Sequence, residues 1–219
     1  MAEGPSVGAT FICMQEVLHS QLQDILAGLN DEPEKPAISS QLPVGHRWAH
    51  IGVAREDGKT KGEYDPILYP SHLFKLLHFE NCWLSPTPDK PSKGWDAGSE
   101  RILTTGVFEH KETKKRLAVF NTHLDNAGSE AREKSVAIIL AVIERVCSDW
   151  AQDDYRASVN GVKKTLNYIL SGDFNSFPTQ EAYKAVVASG SMVDIYNAIP
   201  AARRYGNEIT FTGIQTRHR

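Results

Sequence analysis

Three short stretches of the sequence place carboxylate, imidazole or amide groups directly after an apolar run. They are Gln15-Glu16, Asn121-Thr122-His123-Leu124-Asp125 and Gly172-Asp173-Phe174-Asn175. Each preceding run is short and rich in strand-forming residues, so we predict that each polar group follows the carboxyl end of a strand. The same arrangement therefore occurs three times along the chain.

These side chains are the ones that phosphate ester hydrolysis needs. A hard divalent cation binds to oxygen ligands, a general base activates water, and hydrogen-bond donors stabilise the charge on the phosphoryl oxygens. Glutamate, aspartate, histidine and asparagine supply all of these groups.

Each stretch has a simpler interpretation when it is taken alone. An acidic residue such as Glu16 after a strand is typical of a helix start, and Asp173 is typical of a turn cap. His123, in an apolar strand, is typical of a hydrogen-bonded structural histidine. It is the combination of the three stretches, in this order, that favours a catalytic site.

Strand and helix patterns alternate along the chain. Apolar runs predict strands at 9–14, 48–53, 66–69, 101–109, 116–122, 165–170 and 209–212. Helical spacing predicts helices at 18–29, 129–150 and 179–189, the second with Val136, Ile139, Leu140, Ile143 and Val146 on one face. This order predicts a layered α/β domain with mixed sheets.

Three connections are predicted from their composition. Residues 31–46 form a surface loop, and residues 55–64, with turn glycines, connect two antiparallel strands as a hairpin. Residues 85–98 contain prolines, glycines and Trp95, and they form a long irregular loop of the kind that is often functional. A polar stretch at 152–163 separates the long helix from the next strand.

The overall composition places few limits on function. The chain has 219 residues, of which 41% are hydrophobic, which is enough for one globular domain. The formal net charge of −3 does not favour binding to nucleic acid, although it leaves open a local basic patch that could bind it. Cys13, Cys82 and Cys147 lie in apolar runs and are predicted to be buried free thiols.

No membrane or secretion segment is evident in the sequence. Residues 1–8 lack the basic cluster and the apolar run of a secretory signal, and no stretch approaches the roughly 20 apolar residues of a membrane helix. We therefore expect a soluble protein that does not bind membranes, cytoplasmic unless a secretion signal precedes this sequence.

The sequence resembles the endonuclease/exonuclease/phosphatase superfamily, which includes exonuclease III, deoxyribonuclease I, inositol phosphatases and poly(A) deadenylases. The resemblance spans almost the whole chain and is greatest to fungal and bacterial members without an assigned substrate. It rests on Gln15-Glu16-Val17, Gly62 to Tyr69, Phe79 to Pro86, Gly94-Trp95-Asp96 leading to Arg101, Asn121 to Asp125, Gly172 to Ser176, and Thr210-Phe211-Thr212-Gly213.

The resemblance implies a fold and a set of residue roles. The fold is a four-layered α/β sandwich, in which two mixed β-sheets face each other between helices. Glu16 would bind the metal, Mg²⁺ or alternatively Mn²⁺, and His123 would hydrogen-bond the phosphate. Asp173 would orient or deprotonate the attacking water, and Asn175 would hold a phosphate oxygen. Tyr64, Arg101 and Asn121 would contact the substrate.

The sequence departs from the family pattern at both ends. Family members usually begin with a strand that carries an asparagine, and they end with a strand and a Ser-Asp-His segment. We therefore expect one domain over 1–219 that lacks the first and last strands of the family. His218 follows Arg217 rather than an aspartate, so the catalytic histidine of the family is not assigned to it.

Two hypotheses of different classes follow. In the first, the protein is a monomeric metal-dependent phosphoesterase whose substrate is RNA, DNA or a small phosphorylated molecule. A 3′-5′ RNA exonuclease and a small-molecule phosphatase are both consistent with the resemblance. In the second, the protein is a truncated, catalytically inactive member that at most binds metal or phosphorylated ligands. Flanking sequence that encodes a Ser-Asp-His segment would favour the first.

Overall fold

The computed structural model of the chain describes residues 10–31, 47–151 and 165–204. The strands in these ranges are β1 (Ile12–Cys13), β2 (Trp48–Ile51), β3 (Ile67–Pro70), β4 (Phe74–Trp83), β5 (Ile102–His110), β6 (Arg116–His123) and β7 (Tyr168–Asp173). The helices are α1 (His19–Asn30), α2 (Ser129–Asp149), α3 (Glu181–Ala188) and the single-turn α4 (Ile195–Ala198). Within the same ranges, no helix combines the length and the apolar character that crossing a bilayer requires.

The strands form two sheets. The first sheet has the order β1-β3-β2, and both of its pairings are antiparallel. The second sheet has the order β4-β5-β6-β7. Its first two pairings are antiparallel, whereas β6 and β7 are parallel and are connected through α2, as a parallel pair requires.

The two sheets pack face to face through an apolar layer. The fully buried ring of Phe108, on β5, has its centroid 4.8 Å from the ring centroid of Tyr69, on β3. Beside it, Gly106 lets the sheets approach closely, because a Cβ atom at this position would lie 2.5 Å from Cδ1 of Ile51. The layer consists of Ile51, Ile67, Tyr69, Phe74, Phe108 and Val119.

Helices cover the outer faces of both sheets. Leu22 of α1 packs against Val17, Ala54, Tyr64 and Leu68 on the first sheet. On the second sheet, α2 presents the predicted apolar face, with Val136, Ile139, Ile143 and Val146 buried against Ala118 and Phe120 of β6. The order of layers is therefore helix, sheet, sheet, helix, and the predicted four-layered sandwich is confirmed.

Some elements differ from those predicted from the sequence. Strand β4 was not predicted as a strand, because a β-bulge between Leu76 and His78 interrupts the period-two alternation of its side chains. Strand β1 has only two residues, and the first sheet is antiparallel rather than mixed in the described part of the chain. The strand predicted at 209–212, the polar stretch at 152–163 and residues 32–46 of the predicted loop lie outside the described residues.

Candidate active site

The three polar stretches meet at one edge of the sandwich. Strands β6 and β7 are parallel and in register, so that His123 and Asp173, their last residues, are direct neighbours. The Asp173 Oδ2 atom lies 3.8 Å from His123 Nε2. Glu16 follows β1 on the facing sheet, and its Oε1 atom lies 4.0 Å from the same nitrogen. The amide nitrogen of Asn175 lies 2.9 Å from it as well.

Glu16 lies in a backbone conformation that few side chains adopt. Its φ angle is 59°, in the left-handed region, which costs of order 1 kcal/mol or more for a residue other than glycine. The next residue, Val17, forms a bridge with Tyr64 through two backbone hydrogen bonds of 3.2 and 2.8 Å. The Glu16 side chain is 67% exposed, so its carboxylate is accessible from solvent.

Asp173 is placed beside His123 by an unusually close approach of two strands. A Cβ atom at the preceding residue, Gly172, would lie 2.1 Å from the carbonyl oxygen of Thr122, so a larger residue there would force β6 and β7 apart. The Asp173 carboxylate is 53% exposed. Its Oδ1 atom accepts a hydrogen bond of 2.8 Å from the backbone N–H of Asn175, which fixes its orientation.

His123 is buried, which disfavours the charged form of its ring. Burial and the nearby Arg101 cation lower the pKa of His123 below its usual value, against a smaller opposing effect of Asp173 and Glu16. The Nε2 atom faces Asn175, Asp173 and Glu16, whereas Nδ1 is buried and has no hydrogen-bond partner among the described residues.

Asn175 connects the two strand ends. Its φ angle of 46° is one that asparagine tolerates better than most residues. Its side-chain nitrogen contacts His123 Nε2 and also donates a hydrogen bond of 2.9 Å to the carbonyl oxygen of Leu124. Both amide hydrogens therefore have partners within the protein, and a phosphate oxygen would have to compete for one of them.

Glu63 joins the site, although no role was predicted for it from the sequence. Ligand atoms of Glu16, Glu63 and His123 all lie within 4.8 Å of one another. Two carboxylates and one imidazole fit a divalent cation such as Mg²⁺ or Mn²⁺ in donor type, although Glu63 also forms an ion pair of 2.6 Å with Arg55. The signal for Glu63 was its position in the Gly62 to Tyr69 stretch that supports the family resemblance.

Asp65 is a second residue that sequence analysis missed. It is buried beneath the site, and its carboxylate accepts a hydrogen bond from the backbone N–H of His123. Burial raises the pKa of Asp65 to about 8, although the cations of Arg101 and Arg55 oppose the increase. The sequence could not show this position, because an aspartate before a proline is more typical of an exposed turn.

The three residues predicted to contact substrate are all buried. Tyr64 is 3% exposed, and its hydroxyl donates a hydrogen bond of 2.6 Å to the carbonyl oxygen of Lys59. Arg101 is 6% exposed and pairs with Asp125 at 3.2 Å, while its Nη1 atom has no partner among the described residues. Asn121 is fully buried between the sheets. Direct substrate contact stays a prediction for all three.

Asp125 organises the loop that flanks the site. Its Oδ2 atom accepts hydrogen bonds from the backbone N–H groups of Gly98 and Ser99, and Oδ1 accepts from Ala127 and Gly128. Burial opposes its ionisation, but these bonds and Arg101 together lower the pKa of Asp125 far below its usual value. The predicted long loop is thus held against the start of α2.

Solved structures of other proteins share this fold. A mannosyl-6-phosphatase of Bacteroides thetaiotaomicron is 33% identical, with a TM-score of 0.68 over 85% of this chain and 59% of its own. An endonuclease/exonuclease/phosphatase family protein from the same organism is also 33% identical, with a TM-score of 0.65 over 82% of this chain and 54% of its own.

A curated relative is more distant in sequence. The CCR4-Not complex 3′-5′-exoribonuclease subunit Ccr4 of Candida albicans is 23% identical over 190 residues, which are 79% of this chain and 22% of that protein. No protein-family model matches the chain. The chain thus spans little more than half the length of the two solved structures and about a fifth of the curated relative.

The fold defines a class of protein. Two facing sheets between helices match the architecture of the solved structures. The chain belongs to the endonuclease/exonuclease/phosphatase superfamily.

Proposed function

We propose that the protein is a divalent-metal-dependent phosphoesterase. The observation that carries this proposal is the meeting of Glu16, Asp173 and Asn175 around one nitrogen of the buried His123, all within 4.0 Å of it. These residues come from both sheets, and two of them have left-handed backbone conformations. Strain of this kind persists where the surrounding structure imposes it, which is common at functional sites.

The residues divide into a cation-binding part and a water-activating part. Glu16, Glu63 and His123 would hold the cation, which would act as a Lewis acid on a phosphoryl oxygen. The Asp173 carboxylate is exposed enough for a water molecule to reach it and is held in place by Asn175. It would accept a proton from that water as the oxygen adds to phosphorus. The bond to the leaving oxygen would break, and the departing alkoxide would take up a proton from solvent.

The neutral state of His123 suits a bond to the cation. A neutral imidazole has one N–H and one lone pair, and burial disfavours its ionised form. The amide nitrogen of Asn175 can only donate, so Nε2 accepts and the N–H of the ring lies on the buried Nδ1. His123 would therefore offer the Nε2 lone pair to the cation rather than a hydrogen bond to the phosphate. Asn175 would bind a phosphate oxygen, and Asp173 would accept the proton.

A small phosphorylated molecule is our first choice of substrate. The two arginines nearest the site are each paired with a carboxylate, Arg55 with Glu63 and Arg101 with Asp125. The net charge of the chain is also negative. Binding to a polynucleotide depends on cations that neutralise several phosphates, so these features favour a small phosphomonoester over RNA. The similarity to a mannosyl-6-phosphatase supports the same choice.

The test is hydrolysis by the purified 219-residue chain with Mg²⁺, with Mn²⁺ and with a chelator. The substrates are bis-p-nitrophenyl phosphate, mannose 6-phosphate and a labelled oligoadenylate. We expect metal-dependent release of phosphate from the phosphomonoester and little cleavage of the oligoadenylate. Cleavage of the oligoadenylate alone would refute the choice of substrate and favour an exoribonuclease.

Asp173→Asn provides the decisive variant. We expect a loss of turnover of about 10²- to 10⁴-fold, with an unchanged fold, because the carboxylate serves chemistry rather than packing. Asp194→Asn is the matched control, because Asp194 accepts the same kind of hydrogen bond at the same 2.8 Å, from the backbone of Tyr196, outside the site. Full activity of Asp173→Asn would refute the mechanism, and a folded wild-type chain without turnover would favour the non-catalytic hypothesis.

A further inference from the structure

Asn121 lies on β6, two residues before His123, with its side chain between the two sheets. It is fully buried. Its amide nitrogen donates hydrogen bonds to the carbonyl oxygens of Met14, at 2.8 Å, and Pro66, at 3.0 Å. Its amide oxygen accepts a hydrogen bond of 2.7 Å from Gln15 Nε2. One side chain of the second sheet therefore bonds to two segments of the first.

These three bonds leave the amide of Asn121 with no donor to offer a substrate phosphate. An asparagine side chain has two N–H donors, and both are used. The carbonyl oxygen is engaged as well, and no part of the residue is exposed. A substrate could reach Asn121 only by breaking bonds that hold the sheets together, and buried backbone carbonyl groups that lose their partners are costly.

The segments that Asn121 binds are those that position Glu16. Met14 and Gln15 directly precede Glu16, and Met14 N–H also donates a hydrogen bond of 3.2 Å to the carbonyl oxygen of Pro66. On the other side of Glu16, Val17 is bonded to Tyr64. The left-handed turn at Glu16 is thus held from both sides, as a conformation of this cost requires.

We propose that Asn121 is a positioning residue that fixes the Glu16 carboxylate within reach of His123 and thereby sets the affinity for the metal. It would act through Gln15 and Glu16 rather than by contact with the substrate, in place of the substrate-binding role predicted from the sequence. Because β6 carries both Asn121 and His123, one strand would set the positions of two ligands. The effect on metal affinity rests on the proposed function, whereas the effect on the Glu16 turn does not.

The first test measures the turn itself and needs no metal. In Asn121→Ser the hydrogen bonds to Met14 and Pro66 are lost, so we expect amide hydrogen exchange across residues 14–17 to accelerate at least about tenfold. Ser171→Ala is the matched control, because Ser171 is the register partner of Asn121 on β7 and bonds to Cys13 instead. Unchanged exchange at 14–17 in a folded Asn121→Ser would overturn the proposal, as would equal acceleration in the control.

A second variant covers the case in which Asn121→Ser does not fold. Gln15→Leu removes only the donor to the Asn121 amide oxygen and leaves both bonds from its amide nitrogen in place. We expect faster exchange at 14–17 in this variant also, by a smaller factor. If this folded variant exchanges at the wild-type rate, the chain of contacts from Asn121 to Glu16 does not position the turn.

The second test is a double-mutant cycle on Mn²⁺ affinity with Glu16→Gln. We expect Asn121→Ser alone to raise the Kd for Mn²⁺ by about 10- to 100-fold, as is usual for residues that orient metal ligands. In the Glu16→Gln background the same change should have little further effect, because it acts through Glu16. A full additional loss would refute the positioning role. If the wild type binds no Mn²⁺, the proposed function fails, and the exchange measurement alone decides the inference.

Discussion

The ion pair between Asp125 and Arg101 allows a quantitative prediction. In Asp125→Asn, an amide replaces the carboxylate. Its NH₂ group would then face backbone N–H groups that donate hydrogen bonds to the carboxylate in the wild type. Arg101 is 6% exposed and would lose its charged partner. Removing one partner of a buried ion pair costs about 3–5 kcal/mol. The N–H groups of Gly98, which is exposed, and of Ser99, which is half-buried, can bond to water instead. We therefore expect the free energy of unfolding to fall by about 3–5 kcal/mol at pH 7.

The pH dependence of this loss is a further test of the same reasoning. The folded protein holds the pKa of Asp125 far below its usual value, so the stabilisation is complete above the unfolded pKa of about 3.9. Below that pH the unfolded wild type takes up a proton that the folded form does not. The stability gap between wild type and Asp125→Asn should then narrow by up to about 1.4 kcal/mol per pH unit.

Urea denaturation of the wild type and of Asp125→Asn at pH 7, 5, 4 and 3.5 measures the loss of stability and its dependence on pH. Glu56→Gln is the control. The Glu56 Oε2 atom lies 3.2 Å from Nζ of Lys61, whose side chain is 74% exposed. Such a surface ion pair contributes at most about 1 kcal/mol to the free energy of unfolding. A gap below 1 kcal/mol at pH 7 would show that Asp125 does not hold the loop. A gap that stays constant down to pH 3.5 would show that its pKa is not lowered by folding.

Other predictions concern the backbone, the histidine and the thiols. Gly172→Ala should destabilise the protein and lower turnover at least about tenfold, because the new Cβ would lie 2.1 Å from the Thr122 carbonyl oxygen. The control Gly28→Ala, in an open position of α1, should stabilise it by about 0.5–1 kcal/mol in thermal or urea denaturation. NMR titration of the His123 ring should give a midpoint below pH 6.5, because burial lowers its pKa. Activity should therefore fall only under acidic conditions. A midpoint above pH 6.5 would contradict the effect of burial. Burial raises the pKa of Cys82 to about 12, so it should react with Ellman's reagent at pH 8 far more slowly than in urea. Equal rates would refute this.

The sequence was informative wherever a local pattern carried the signal. The helical spacing of apolar residues located α2 from Ser129, and the run before Asn121 located β6. Both patterns reflect which side of an element meets apolar neighbours, and that is encoded within a few residues. The same reason explains why Glu16, His123 and Asp173 could be placed at or just beyond the ends of strands. Strand β4 was missed because its bulge breaks the pattern on which the prediction depends.

The tertiary structure decided which of these groups meet and which remain available. Glu16 and Glu63 reach His123 only because the first sheet packs on the second, and no local pattern specifies which faces pair. The same packing engages the amide of Asn121 in hydrogen bonds, whereas the sequence shows this residue only as a polar group near the end of an apolar run. Side-chain type thus follows from the sequence, whereas burial and hydrogen-bond partners depend on contacts between residues far apart in the chain.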